Sequence, residues 1–156
     1  MFIFTARVRW GRLIAGAVAA AGICLLVAGF FFFGDGAVAA LGVVRGISTP
    51  EDRVAYLEGL GWTVKSEPLS VEELLIPKTF DESYADYLAL QTEQGFDLSK
   101  YCGKRLRRYT YEITNYPTGE EGVQVSILVF RNRIVGGDVL STQQDGFLHG
   151  LAVPQG

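Results

Sequence analysis

The chain reads as an α+β protein: an N-terminal transmembrane helix, then a small domain of element order α-β-β-α-β-β-β. The expected architecture is an antiparallel sheet with both helices on one face. Three observations predict this. An uncharged apolar run extends from Leu13 to Phe33. Helix-start signals stand at Thr49-Pro50 and Asp81, each followed by apolar residues at helical spacing. Period-two apolar runs separated by turn residues fill much of the remainder.

The apolar run holds 21 residues, and at about 1.5 Å of rise per residue it reaches roughly 31 Å. That matches a hydrocarbon core of roughly 30 Å. Arg7, Arg9 and Arg12 precede it, and no acidic residue occurs before Asp35. This asymmetry predicts a cytoplasmic basic flank (1–12), a span (13–33), a Gly/Ala-rich linker (34–47) and an extracytoplasmic domain (48–156) on the cytoplasmic membrane. Ala37-Val38-Ala39 resembles a signal-cleavage site, but signal h-regions are typically about 7–15 residues, so an uncleaved anchor is the adopted reading. Acylation at Cys24 is set aside because Ile23 stands where a small side chain is needed. Gly16 and Ala20 have the small-xxx-small spacing that lets two spans approach; an alanine-rich face turned to lipid explains them equally.

With three of the 14 basic residues ahead of the span, the remaining 11 face 17 acidic ones, a net charge of −6. An acidic exterior domain argues against a nucleic-acid binder. Cys102 is the only cysteine beyond the span, so the domain folds without an internal disulfide. A half-buried apolar role fits that thiol, with bridging to a second copy as the alternative.

In the first helix, Thr49 caps, Pro50 takes the first position, and Glu51 and Asp52 favour the positive dipole end. Val54, Leu57 and Leu60, with Tyr56 beside them, form its apolar side, and Gly59 and Gly61 end it. Strands are expected at 62–67 and 71–76 around a Pro68-Leu69-Ser70 turn. A second helix is expected from Asp81 to about Gln94, with Phe80, Tyr84, Tyr87, Leu88 and Gln91 facing inward as core. A loop over 96–103 then leads to strands at 104–114, 123–131 and 133–140. Val123, Val125, Ile127 and Val129 alternate with Gln124 and Ser126, the pattern of one buried face. Asn115-Tyr116-Pro117 and Arg131-Asn132-Arg133 supply the turns.

Candidate binding residues follow from charge and aromatic patterning. Lys100, Lys104, Arg105, Arg107 and Arg108 fall within nine residues. On a strand, Arg105, Arg107, Tyr109 and Tyr111 share one face, forming an anion-binding strip; the alternative is an edge strand guarded by charge. Asp138, after Gly136-Gly137 in an apolar strand, is a candidate binding carboxylate, and the glycines mark a bulge or a close backbone approach. Ser141, Asp145 and His149 have the residue types of a catalytic triad, but Gly146 and Gly150 oppose the single helix that their spacing would need. With His149 the sole histidine, ligands for a metal are scarce. No phosphate-cradling glycine loop or dinucleotide fingerprint occurs. The sequence therefore implies no catalytic residues, metal or cofactor.

Gly61-Trp62, Ile76-Pro77, the 94–98 string QGFDL, Tyr101-Cys102-Gly103-Lys104, Tyr109-Thr110-Tyr111, Asn115-Tyr116-Pro117, Gly136-Gly137-Asp138 and the 146–151 string GFLHGL form a distinctive series. Together, over roughly residues 50–151, the series resembles an uncharacterised family of short membrane-anchored proteins from Gram-positive anaerobic bacteria. The resemblance implies a domain of unknown function at the outer membrane face and carries no catalytic residues; Cys102 departs from its pattern.

The expected function is a non-enzymatic, membrane-tethered binding module for a protein or cell-envelope partner. Its expected contact surface is the 104–111 strand, with Asp138 and His149 as further binding residues, or a sheet edge by strand addition. The alternatives are a cell-envelope hydrolase or transferase using Asp138, Asp145 and His149, and a structural subunit of a membrane complex assembled through the span.

Overall fold

The structure, a computed structural model, describes residues 41–155. The basic flank, the apolar run with Gly16 and Ala20, and Ala37-Val38-Ala39 lie outside the described residues. Within those residues no helix is long and apolar enough to cross a membrane.

Helix α1 (Pro50–Gly59) starts as its capping chemistry requires. The Thr49 hydroxyl accepts from the Asp52 amide at 3.2 Å, and the Asp52 carboxylate accepts from the Ser48 and Thr49 amides at 2.9 and 2.8 Å. This reciprocal box satisfies donors that the first turn leaves free. Helix α2 (Ala85–Glu93) follows a single 3-10 turn at Glu82–Tyr84, whose start Asp81 caps by accepting from the Ser83 amide.

Six strands form one antiparallel sheet: β1 (Val44–Arg45), β2 (Ser70–Leu75), β3 (Arg105–Glu112), β4 (Val123–Phe130), β5 (Arg133–Ser141) and β6 (Leu148–His149). Their order is β1-β5-β4-β3-β2, with β6 also alongside β5. The three long C-terminal strands and the two-residue turn at Arg131-Asn132 agree with the sequence expectation.

The hairpin expected around Pro68 does not form. Val64 bridges Ile113, and Ser70 to Leu75 pair with Thr110 to Arg105, so both segments lie along the same edge of β3. Residues 66–68 loop out between them, while the Lys65 and Leu69 amides still bond the Glu112 and Thr110 carbonyls. Proline has no amide to donate to a ladder, so Pro68 interrupts pairing instead of turning it back. The linker expected over 34–47 also contributes structure: Val44 and Arg45 pair with Ile134 and Arg133, and Ile47 is buried.

The helices occupy opposite faces of the sheet, which corrects the one-face expectation. Leu57 of α1 packs in a cluster with Tyr109, Tyr111, Val123, Val125, Ile127 and Val129. Tyr87 and Leu88 of α2 pack against Leu106, Leu128 and Val135 in a second cluster. Period-two alternation along β3 and β4 separates the two sets. Strand β4 is therefore buried on both sides; Leu128 breaks its apolar-polar alternation because that face also has a core to fill. Tyr84, expected inward, is 38% exposed and packs edge-on to Phe80.

Beside β5, strands β1 and β6 leave a gap, and α2 fills it with side-chain amides. Gln91 accepts from the Gly137 amide and donates to the Gly137 carbonyl, both at 2.9 Å, replacing a missing strand. Gln94 donates to the same carbonyl at 3.1 Å and accepts from the Leu151 amide at 2.6 Å. Gly136-Gly137 is a close approach next to a bulge, which places Val129 opposite Ile134 and Leu128 opposite Gly136. A Cβ on Gly137 would lie 2.6 Å from the Ser126 carbonyl oxygen and 2.8 Å from Leu151.

Gln91→Leu keeps the size of the side chain but orphans the Gly137 amide. It should lower the urea-unfolding free energy by about 1–3 kcal/mol, the cost of an unsatisfied buried donor. Gly137→Ala should be destabilised comparably, by about 1–3 kcal/mol for overpacking against backbone that cannot retreat. Wild-type stability in either variant would refute this account of the β5 edge.

Candidate functional site

At one end of the sheet, on the α1 side, lies a cleft of about 330 Å³. Its walls are Ile47 and Ser48 before α1, Arg53 on α1, Arg105, Arg107 and Tyr109 on β3, and the β4–β5 turn at Arg131-Asn132, with Glu73 of β2 at its border. The turn is fastened to the strand leading into α1: the Asn132 carbonyl accepts from the Gly46 and Ile47 amides at 3.0 and 3.2 Å. Arg131 adopts φ 54°, in the left-handed region that a bulky side chain ordinarily avoids.

Arg53 is the unusual residue of this cleft. It is only 8% exposed. Its Nε donates to the Tyr111 hydroxyl at 3.0 Å, and its guanidinium carbon sits 4.0 Å from the Tyr109 ring centroid. Neither contact neutralises its charge. Among the described residues the ion pairs are Lys65–Glu112, Lys100–Asp97 and Arg105–Glu73, and Arg53 is in none of them. The neighbouring Asp52 carboxylate is engaged by the backbone amides of Ser48 and Thr49, which chiefly hold its pKa below the ordinary value.

Arg105, Arg107, Tyr109 and Tyr111 do share one face of β3, as expected. The tyrosines are not an exposed strip, however: Tyr109 and Tyr111 are buried beneath Arg53 and α1. Nor is β3 an edge, since β2 and β4 flank it. Arg107 is exposed, and Arg105 pairs with Glu73 at 2.5 Å. The other members of the basic run go elsewhere. Lys100 pairs with Asp97, and Lys104 lies 5.3 Å from the Tyr101 and Phe130 ring centroids. Sequence reasoning missed Arg53 although a signal existed. It precedes Leu57 by four residues and so belongs on the apolar stripe of α1.

Asp138 lies on the other face, 2% exposed, accepting from the Tyr87 hydroxyl at 2.8 Å. Burial raises its pKa, while the Tyr87 bond and the nearby Arg108 charge oppose the rise. Burial likewise raises Tyr87, with the Asp138 charge adding to the effect. The Nε of Arg108 is buried without a hydrogen-bond partner among the described residues.

His149 pairs with Val139 across β5 and β6, so it projects on the α1 side, opposite to Asp138. Its Nδ1 donates to the Gly150 carbonyl at 2.6 Å, leaving Nε2 to accept from the Tyr116 hydroxyl at 3.1 Å. Trp62, Tyr116, Phe147 and His149 form an aromatic group in which Trp62 stacks on Tyr116, Tyr116 on Phe147 and Phe147 on His149, and the Trp62 indole donates to the Leu151 carbonyl at 2.7 Å. Ser141 bonds Glu120, and Asp145 is exposed in the loop after β5. Asp138 and His149 thus lie on opposite faces of the sheet, and no hydrogen bond joins Ser141, Asp145 and His149 among the described residues. Cys102 is a half-buried free thiol. Among the described residues no His, Cys, Asp and Glu side chains cluster as metal ligands.

Fold and cleft define a small two-faced α+β domain with an arginine-lined hollow at one end of its sheet. The chain belongs to the family described as a domain of unknown function, DUF4830, which it matches over residues 56–139, more than half its length. The matched span takes in Arg105, Arg107 and Arg131 and begins after Arg53. No curated protein and no solved structure matches the chain.

The raised pKa of Asp138 has a definite sign for stability. A carboxyl that is harder to ionise when folded disfavours the native state above its unfolded pKa, and the penalty lifts as pH falls through the folded pKa. Asp138→Asn retains an acceptor for Tyr87. Its stability relative to wild type, from urea unfolding at each pH, should therefore be greater at pH 7 than at pH 4. A difference that shrinks or reverses from pH 4 to pH 7 would refute the burial argument.

Proposed function

We propose that the chain is a non-enzymatic binding module that recognises an anionic partner in the arginine-lined cleft. Its N-terminal apolar run holds it at the outer face of the cytoplasmic membrane, with the partner a protein or cell-envelope component. The observation that carries this reading is Arg53, a largely buried side chain in no ion pair among the described residues, in a cleft bordered by three more arginines and by Glu73. Its aromatic neighbours supply no counter-charge, and its terminal nitrogens, which are not among the buried unpartnered atoms, are left to bond whatever enters the cleft. Such a side chain is suited to an external counter-charge. Four basic residues line this cleft against one acidic residue, Glu73, a local excess of positive charge that favours capture of an anion.

The free edge of β2 supports a second contact by strand addition. Its outer side lacks a strand partner among the described residues, and Val71 and Leu75 are 54% and 64% exposed. Glu72 and Glu73 beside them favour a basic strand there.

A photo-crosslinking residue placed at Asn132, at the rim of the cleft, in the full chain in native membranes should yield a discrete adduct. The adduct should disappear when Arg53→Met is added, and a probe at Lys65, away from the cleft, should not form it. An adduct insensitive to Arg53, or none at Asn132, would contradict the reading. The full chain is required because removing residues 1–46 would strip β1 from the sheet.

A further inference from the structure

We infer that the cleft is a site for a phosphoryl group, held principally by Arg53 with Arg107 and Arg105; this rests on the anionic-partner reading above and specifies its chemistry. Arg53 presents a built anion receptor. Of its guanidinium nitrogens, only Nε has a hydrogen-bond partner among the described residues, the Tyr111 hydroxyl. That bond and the Tyr109 ring 4.0 Å away fix the plane of the guanidinium, which lines the cleft with its two terminal nitrogens still free to donate. A planar fork with two parallel donors matches two oxygens of a phosphoryl group.

The remaining lining favours phosphoryl over a single carboxylate. Arg105 and Arg107 alternate on the same face of β3, so two more guanidiniums border the hollow into which Arg53 opens. One carboxylate would leave most of this charge uncompensated, whereas a phosphoryl group offers up to two charges and three acceptor oxygens. Asn132 and Ser48 add neutral polar groups at the rim. The volume of about 330 Å³ falls at the small end of ligand pockets, which run to about 1,000 Å³. No aromatic face is open for a nucleobase, since the Tyr109 ring is buried and already covered by Arg53. The ligand is therefore a free phosphate or a phosphoryl carried on a non-aromatic group such as a polyol or a lipid headgroup.

Glu73 is the built-in competitor. It pairs with Arg105 at 2.5 Å across the strand pair β2–β3, where both side chains are exposed. A bound phosphoryl must draw Arg105 from this pair and tolerate the carboxylate nearby. Removing the Glu73 charge should strengthen binding, an effect with the opposite sign to loss of Arg53.

The test is isothermal titration of the full chain in neutral detergent at constant ionic strength, with inorganic phosphate, soluble dihexanoylphosphatidic acid and a hexaglutamate peptide as probes. Saturable binding of either phosphoryl probe is expected. Arg53→Met should weaken it at least tenfold; the melting temperature should fall, because the buried Tyr111 hydroxyl loses its partner, so binding is read below the unfolding transition. Glu73→Gln should tighten it about three- to tenfold, and it serves as the folding-independent arm if Arg53→Met does not fold. A lipid probe binding tenfold tighter than inorganic phosphate assigns the group to a headgroup; similar affinities assign it to free phosphate. No saturable binding to either probe, unchanged binding in both variants, or preference for hexaglutamate overturns the inference. In those cases an Arg53-dependent crosslink at position 132 would leave the binding-module reading standing, whereas its absence would remove both.

Discussion

Arg53 is the constraint on which the functional end of this domain depends. Its charge is buried, and what surrounds it is aromatic: the Tyr109 ring beneath and the Tyr111 hydroxyl at Nε. A cation over a desolvated aromatic ring gains about 2 kcal/mol, which offsets part of the burial cost and leaves the charge itself unmatched. The arrangement fixes α1 on β3, because Arg53 and Leu57 lie one turn apart and both are buried on this side. It also explains why the two tyrosines point inward while the arginines preceding them on the same face remain at the cleft. The interaction that orders the helix against the sheet therefore also leaves a donor pair facing the hollow.

The opposite face has a different logic. Strand β5 is flanked by two short strands that leave its middle unpaired, and an unpaired buried backbone is costly. Gln91 and Gln94 supply the missing donors and acceptor from α2, and the absence of a side chain at Gly137 lets that backbone come close to Ser126 and Leu151. Sequence separations of 46 and 43 residues join at one peptide unit. The sheet can thus be covered on both sides although the domain is small. Asp138 shows the consequence: it lies beneath α2 with Tyr87, a structural acceptor remote from the cleft.

Much of this was legible in the residues, and the failures have physical causes. The helix start at Thr49-Pro50 and the C-terminal strands declared themselves because capping and turn chemistry are local. So did the close approach at Gly136-Gly137, where the sequence itself is exceptional. The Pro68 hairpin misled because turn residues mark a break in pairing without stating whether the chain then turns back or continues along the same neighbour. Strands β1 and β6, two residues each, are created by pairing with β5 and have no periodicity of their own. The one-face expectation underweighted Leu128, an apolar residue at a position where a solvent-facing side chain belongs. Arg53 went unread in the first helix, although its spacing to Leu57 placed it on the buried stripe.

The account is tested most directly by arginine-selective 15N NMR of the full chain, following the Nε–H of Arg53 assigned by its loss in Arg53→Lys. A guanidinium buried on Tyr109 and bonded to Tyr111 predicts an Nε–H protected from solvent exchange at neutral pH, with a resonance that shifts saturably on adding inorganic phosphate. An Nε–H exchanging as fast as that of exposed Arg133, with no response to phosphate, would contradict it.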